Sequence, residues 1–253
     1  MPGVEVYFLT YDGLNLAGTL HGAGEKHPCI IMSNEFSGLR SEYLPEFAKR
    51  FNAVGYTVLL YDNRTTLGDS EGKPRNEVDS VLQTRDYYDA FNYTTTLSSV
   101  DPKNIVYWGS SMSGGNALVA TAVNKCVKGV IAQVPVAAAY CEALPRDRAN
   151  FVEEFTRQNI PWEKLVSLQS LLHGIIQEPR AVIHRIAPRP LLMVVAEQDV
   201  TCPVQCQLSV FNEALHPMEL KIIKGASHFD PYYGPPFEEN IKAQLEFLRS
   251  VFE

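Results

Sequence analysis

The stretch Tyr107-Trp108-Gly109-Ser110-Ser111-Met112-Ser113-Gly114-Gly115 decides how this chain is read. It joins a strand-like run over 104–109 to a stretch of helical composition that continues to Val123. A strand that turns straight into a helix around a serine needs small residues two places before and two places after it, because larger side chains collide across the turn. Gly109 and Ser113 fill those places around Ser111. Such a turn lifts the hydroxyl clear of the sheet and aims the next backbone N–H at the oxygen of an attacked carbonyl. A register two residues later, with Ser111 and Gly115 around Ser113, meets the same size rule, although the strand run ends at Gly109 and so favours Ser111. Gly and Ser clusters also build ordinary turns and helix caps, so the stretch needs partners.

A serine hydroxyl becomes a nucleophile when a base removes its proton. His228, in Lys224-Gly225-Ala226-Ser227-His228-Phe229-Asp230, follows the strand-like run 220–225 and precedes the last helix. The other histidines have weaker claims: His21 and His27 fall in an N-terminal loop, His216 in a turn before Pro217, His184 beside a Pro-bounded strand and His173 on a helix face. An acid that fixes the imidazole tautomer is expected after the preceding strand, and Asp199 in Val195-Ala196-Glu197-Gln198-Asp199 supplies it. Glu197 is the competing carboxylate, and Asp230 is expected to face solvent. The chain order Ser111, Asp199, His228, each after its own strand, is the order of the α/β-hydrolase triad.

The rest of the chain supplies the frame. Residues 4–22 read as an antiparallel hairpin about Asp12-Gly13. Short apolar runs at 29–33, 56–62, 104–109, 128–135, 190–199 and 220–225 read as buried strands. Leu44, Phe47, Phe51 and Val54 have helical spacing and stop at Gly55; further helices are expected over 77–97 and 237–252. The alternation predicts an α/β fold, a mainly parallel eight-stranded sheet with helices on both faces. Residues 1–135 and 186–253 would form its core. Residues 136–185 interrupt the rhythm with about two helices' worth of chain and are expected to form a small helical cap; extra packing helices are the alternative.

The 253 residues carry 22 basic and 29 acidic side chains, a net charge of −7 that argues against a nucleic-acid or anionic-membrane partner. Residues 1–20 lack a secretory signal, and no apolar run spans a bilayer, so a soluble cytoplasmic protein is expected. The five cysteines, an odd number, read as buried free thiols; Cys202 and Cys206 have metal-ligand spacing, but no second cluster joins them. No metal and no cofactor are expected, since no HExxH, GxGxxG or P-loop pattern occurs.

On these motifs the chain resembles α/β hydrolases of the dienelactone-hydrolase-like group, and most of all the fungal polyketide transferases of the fumagillin-pathway type. Tyr61 to Ser70 and Pro74 to Asp79 are its more family-specific stretches, and Trp108 to Gly114 matches that group's Trp-Gly-x-Ser-x-Ser-Gly elbow. The resemblance implies acyl transfer or hydrolysis through Ser111 on a polyketide-type ester or thioester, a small molecule either free or on a carrier protein. A general esterase or lactonase, and a non-hydrolytic protein that promotes polyketide cyclisation, are the alternatives. It also implies that Phe36 and Met112 donate the two oxyanion N–H groups. After the strand 29–33 relatives place His-Gly or Pro-Gly, whereas this chain has Asn34-Glu35. Asn34, Glu35 and Trp162 are expected to line the substrate site. Glu35 could point away from that site, repel anions there, or act as a second acid or base.

Overall fold

The computed structural model describes residues 3–22, 24–36, 38–138 and 167–253. Eight strands form one sheet in the order β1-β2-β4-β3-β5-β6-β7-β8. β1 (Val4–Leu9) and β2 (Asn15–His21) make the expected hairpin, and β2 pairs antiparallel with β4 (Thr57–Tyr61). β3 (His27–Ser33), β5 (Val100–Ser110), β6 (Gly129–Gln133), β7 (Leu191–Ala196) and β8 (Met218–Ile223) continue the sheet from β4 in parallel. This is the predicted α/β architecture, in which an inner parallel strand covered on both faces reads as an unbroken apolar run.

Period-two alternation splits those runs between two cores. Ile31 on β3 and Tyr107 on β5 face a core shared with α2 (Ser80–Thr95), α3 (Ser111–Val123) and α5 (Val204–Phe211). Ile30, Met32 and Trp108 face the other, shared with α1 (Leu44–Ala53) and α6 (Gly234–Phe252). α1 buries Leu44, Phe47, Ala48 and Phe51, the expected helical stripe. α2 starts where the Asp79 carboxylate accepts from the Val81 and Leu82 N–H groups, which gives the first turn acceptors it otherwise lacks.

The chain winds from β3 through α1 to β4 on one side. It then returns through α2 across β3 to β5. The winding direction therefore reverses between β3 and β5, and the carboxyl ends of those two strands flank the crevice where such sheets bind ligands.

Several boundaries differ from the sequence reading. β5 reaches back to Val100, which pairs with His27. α6 begins at Gly234 because Pro235 and Pro236 occupy its first turn, where a missing N–H costs nothing. α5 was not expected at all. Of the 136–185 stretch, residues 139–166, Trp162 included, lie outside the described residues. The described remainder holds α4 (Leu168–Ile176) and a 3-10 turn (Pro179–Arg185), whose Ile183 is buried in the first core. α4 is fastened beside the elbow helix: Gln177 donates to Asn116 on α3 at 2.7 Å, and Ser170 Oγ accepts from Val78 N–H at 2.9 Å. Cys29, Cys126 and Cys202 are free, but Cys206 is disulfide-bonded and Cys126 is exposed, which corrects the reading of five buried thiols.

Candidate active site

Ser111 stands at the carboxyl end of β5, the first residue of α3, with φ 51°. The size rule has a direct structural cause. A Cβ added to Gly109, two places before Ser111, would sit 2.0 Å from the Ser113 carbonyl oxygen; Gly115, outside that rule, is crowded separately, a Cβ there sitting 2.3 Å from the Val136 carbonyl oxygen. Both neighbours are backbone and cannot swing aside. On the far side, the Val136 N–H donates to the Ser111 carbonyl at 2.8 Å, fastening the exit of β6 to the elbow.

Three side chains, each beyond the carboxyl end of its own strand, then meet. His228 Nε2 lies 3.2 Å from Ser111 Oγ, and its Nδ1 lies 2.8 Å from Asp199 Oδ2. All three residues are buried. Asp199 is itself held: its Oδ1 accepts from the Cys202 N–H at 2.8 Å and its Oδ2 from the Gln207 amide at 3.1 Å. A carboxylate on Nδ1 keeps a proton there and leaves the Nε2 lone pair facing the serine. Burial pulls the His228 pKa down, but the Asp199 carboxylate, and after it Glu35, outweigh this and leave it raised above 6.5.

The competing residues go elsewhere. Ser113 is fully buried inside α3, donating to the Asn34 carbonyl and accepting from Asn63 Nδ2 at 3.0 Å. Glu197 accepts from the Gly225 N–H at 2.8 Å in an exposed turn. Asp230 is partly exposed and accepts from the Ser227 N–H at 2.7 Å, capping the turn that carries His228. His173 pairs with Asp79 at 3.3 Å, and His21 and His27 lie on strands β2 and β3.

The loop after β3 forms the opposite wall. The Asn34 side chain is taken up within it, accepting from the Glu35 N–H at 2.8 Å and donating to the Leu39 carbonyl at 2.6 Å. Glu35 points inward. It is buried, with Oε2 3.8 Å from His228 Nε2, and the Tyr232 hydroxyl donates to that oxygen at 3.4 Å. The Tyr232 phenol is pushed well above its ordinary pKa, by burial first and by the Glu35 charge, so it remains a donor. Nearby Glu42 is raised to about 8 by burial, with further contributions from Glu35 and Asp62. Met112, second residue of α3, has a backbone N–H without an intrahelical acceptor. The Phe36 N–H also finds no backbone acceptor among the described residues.

Two neighbours were not anticipated. Cys202 places its Sγ 3.7 Å from Ser111 Oγ, and Tyr232 bridges Glu35 and Ser110. Cys202 was legible only as the third residue past Asp199, the spacing of a carboxylate that accepts from a backbone N–H two or three places on. Asp199, Cys202 and His228 are metal-ligating types with donor atoms within 4.8 Å of one another, yet Asp199 and His228 already hold each other through a hydrogen bond. No helix among the described residues is long and apolar enough to cross a membrane.

The sequence profile of the acetyl xylan esterase (AXE1) family matches residues 79–248. The polyketide transferase grgF of Penicillium sp. is 32% identical over 98% of this chain and 97% of its own. A thiohydrolase of Eupenicillium brefeldianum is 29% identical over 98% and 96%. The crystal structure of the α/β hydrolase GrgF from Penicillium sp. sh18 superposes with a TM-score of 0.92, at 31% identity and 99% coverage of both chains. The resemblance read from the motifs is thus borne out. The chain belongs to the acetyl xylan esterase (AXE1) family of α/β hydrolases, among its esterases, thiohydrolases and acyltransferases.

Proposed function

We propose that this enzyme forms an acyl-enzyme on Ser111 from a polyketide-type thioester or ester and then passes the acyl group to an acceptor. The observation that carries the reading is the unbroken chain Asp199 Oδ2–His228–Ser111 Oγ, with contacts of 2.8 and 3.2 Å. His228 takes the hydroxyl proton as Oγ attacks the carbonyl carbon. It then returns the proton to the departing thiol or alcohol, while Asp199 holds the tautomer and offsets the imidazolium charge. The Met112 and Phe36 N–H groups act as the oxyanion donors, one from the start of α3 and one from the loop after β3. Each such donor typically contributes ~10²–10³ in rate.

Names of relatives support the substrate class, since proteins called polyketide transferase and thiohydrolase match along almost the whole chain. α4, the described part of the stretch read from sequence as a cap, lies beside the elbow helix, where a cap would be anchored; Trp162, expected from sequence to line the site, lies outside the described residues. Delivery of the substrate on a carrier protein fits a thioester, and the reading holds equally for a free one.

The test is covalent labelling with a fluorophosphonate, located by peptide mass spectrometry, beside Ser111→Ala, Ser113→Ala and His228→Ala proteins. An adduct on Ser111 that persists in the Ser113 variant and is lost in the His228 variant is expected. Turnover of an acyl thioester should fall roughly 10⁴–10⁶-fold in Ser111→Ala. A wild-type protein that hydrolyses the thioester yet never labels, or labels at Ser113, would overturn the proposal.

A further inference from the structure

The His228 imidazole has a carboxylate at each end. Asp199 at Nδ1 accounts for the tautomer and orientation of the ring. A triad does not require the second, Glu35, 3.8 Å from Nε2. Glu35 is also held in place. Its N–H donates to Asn34 Oδ1, and its carboxylate accepts from the Tyr232 hydroxyl. Gly38 closes over it, since a Cβ there would sit 3.1 Å from Glu35 Cγ. Ser111 Oγ and Glu35 Oε2 thus flank one nitrogen, at 3.2 and 3.8 Å.

A fixed negative charge in that place opposes the oxyanion that forms when the acyl carbon is attacked, and it does so in a water-poor pocket where charges act strongly. In the second attack, by the acceptor on the acyl-enzyme, the opposition disappears if Glu35 becomes neutral in the same step. Taking a proton from the incoming acceptor achieves this. We propose that Glu35 is the base that deprotonates the acyl acceptor, leaving His228 to activate Ser111, so that two groups divide the two halves of the reaction. The proposal rests on the Ser111 acyl-enzyme put forward above.

The proton inventory closes. In acylation His228 takes the Ser111 proton and gives it to the leaving thiol, so the acyl-enzyme holds a neutral imidazole and an ionised Glu35. A neutral acceptor bearing one transferable proton, an alcohol or water, then loses that proton to Glu35 Oε2 as its oxygen bonds to the acyl carbon. The bond from that carbon to Oγ breaks as the intermediate collapses. Glu35 returns the proton through His228 Nε2 to Oγ, which restores the free serine and the carboxylate. An anionic acceptor brings no proton and meets the unneutralised charge, so the arrangement selects neutral acceptors.

The two halves can be measured separately on the intact protein. Fluorophosphonate labelling reports activation of Ser111 alone. Release of thiol from an S-hexanoyl-N-acetylcysteamine thioester, with water or added methanol as acceptor, reports full turnover. Glu35→Gln, nearly the same shape and still able to accept from Tyr232, should label within about threefold of the wild-type rate. Its turnover should fall ~10²-fold or more, with the hexanoyl-enzyme accumulating on Ser111 by intact-protein mass spectrometry. Glu35→Asp should recover part of the turnover without accumulation. Equal losses in labelling and turnover, or no loss in either, would overturn the proposal. Wild-type protein that never labels would instead remove the Ser111 acyl-enzyme, and this proposal with it.

Discussion

Replacing Gly109 by alanine tests the elbow more sharply than replacing any of its polar residues. The added methyl carbon would sit 2.0 Å from the Ser113 carbonyl oxygen and 2.4 Å from its carbon. Ordinary contact begins near 3.4 Å, so the start of α3 must retreat by more than an ångström. That carbonyl also accepts from the Tyr87 hydroxyl at 3.3 Å, so the retreat disturbs a second buried bond. Overpacking of this severity costs about 3 kcal/mol, which in a chain of this size lowers Tm by roughly 6–12 °C. The functional loss should be larger. Ser111 Oγ lies 3.2 Å from His228 Nε2, so a movement of that size takes it out of hydrogen-bond reach. A misplacement of about 1 Å typically costs ~10² in rate. Differential scanning calorimetry gives the first quantity and kcat/KM on an acyl thioester the second. An alanine protein that melts within about 2 °C of wild type and labels at the wild-type rate would show that the glycine is not what the turn requires.

Asp199→Asn should keep the fold and lose roughly 10⁴ in kcat, because an amide no longer fixes the tautomer; circular dichroism beside steady-state kinetics checks both. The wild-type kcat/KM profile should have its acid limb above pH 6.5. Asp199 and Glu35 hold the imidazolium, so the limb should move to lower pH in Asp199→Asn. Glu42 is raised from 4.5 to about 8 and so binds its proton more tightly folded than unfolded, which means stability falls as pH climbs through that interval. Glu42→Gln should therefore flatten the dependence of urea unfolding on pH between those values, by up to a few kcal/mol. Gly174→Ala inside α4, whose new methyl would meet only Met112 Cε at 4.0 Å among the described residues, should raise stability by roughly 0.5–1 kcal/mol, read as a higher Tm.

What could be read from the chain follows from what acts locally. The inner strands were legible because burial on both faces leaves no polar residue in runs such as Leu191–Ala196. The elbow was legible because Gly109 answers a collision with Ser113, only four residues further on. Asp199 and His228 stood out because each closes a strand, although the choice over Glu197 needed the turn in which Cys202 N–H holds the Asp199 carboxylate. The inward aim of Glu35 was one of the alternatives that the sequence left open, and no local pattern chose among them. It depends on Asn34 and Gly38 folding the loop back on itself and on Tyr232, 197 positions away, reaching across. The nearness of Cys202 to Ser111 likewise joins residues 91 apart. Ends were harder than elements: β5 begins earlier because Val100 finds His27 across the sheet, a pairing that no local pattern announces.

The backbone of Ser111, at φ 51°, also bears on how such a protein ages over generations. A side chain in the left-handed region costs about 1–2 kcal/mol that glycine does not incur. Selection for durability alone would thus push this position toward glycine, which removes the hydroxyl while relaxing the chain. On the proposed reading, the serine is kept there by demand for its chemistry. A descendant released from that demand would be expected to lose its nucleophile first and to melt higher for it, a fossil better built than its working ancestor.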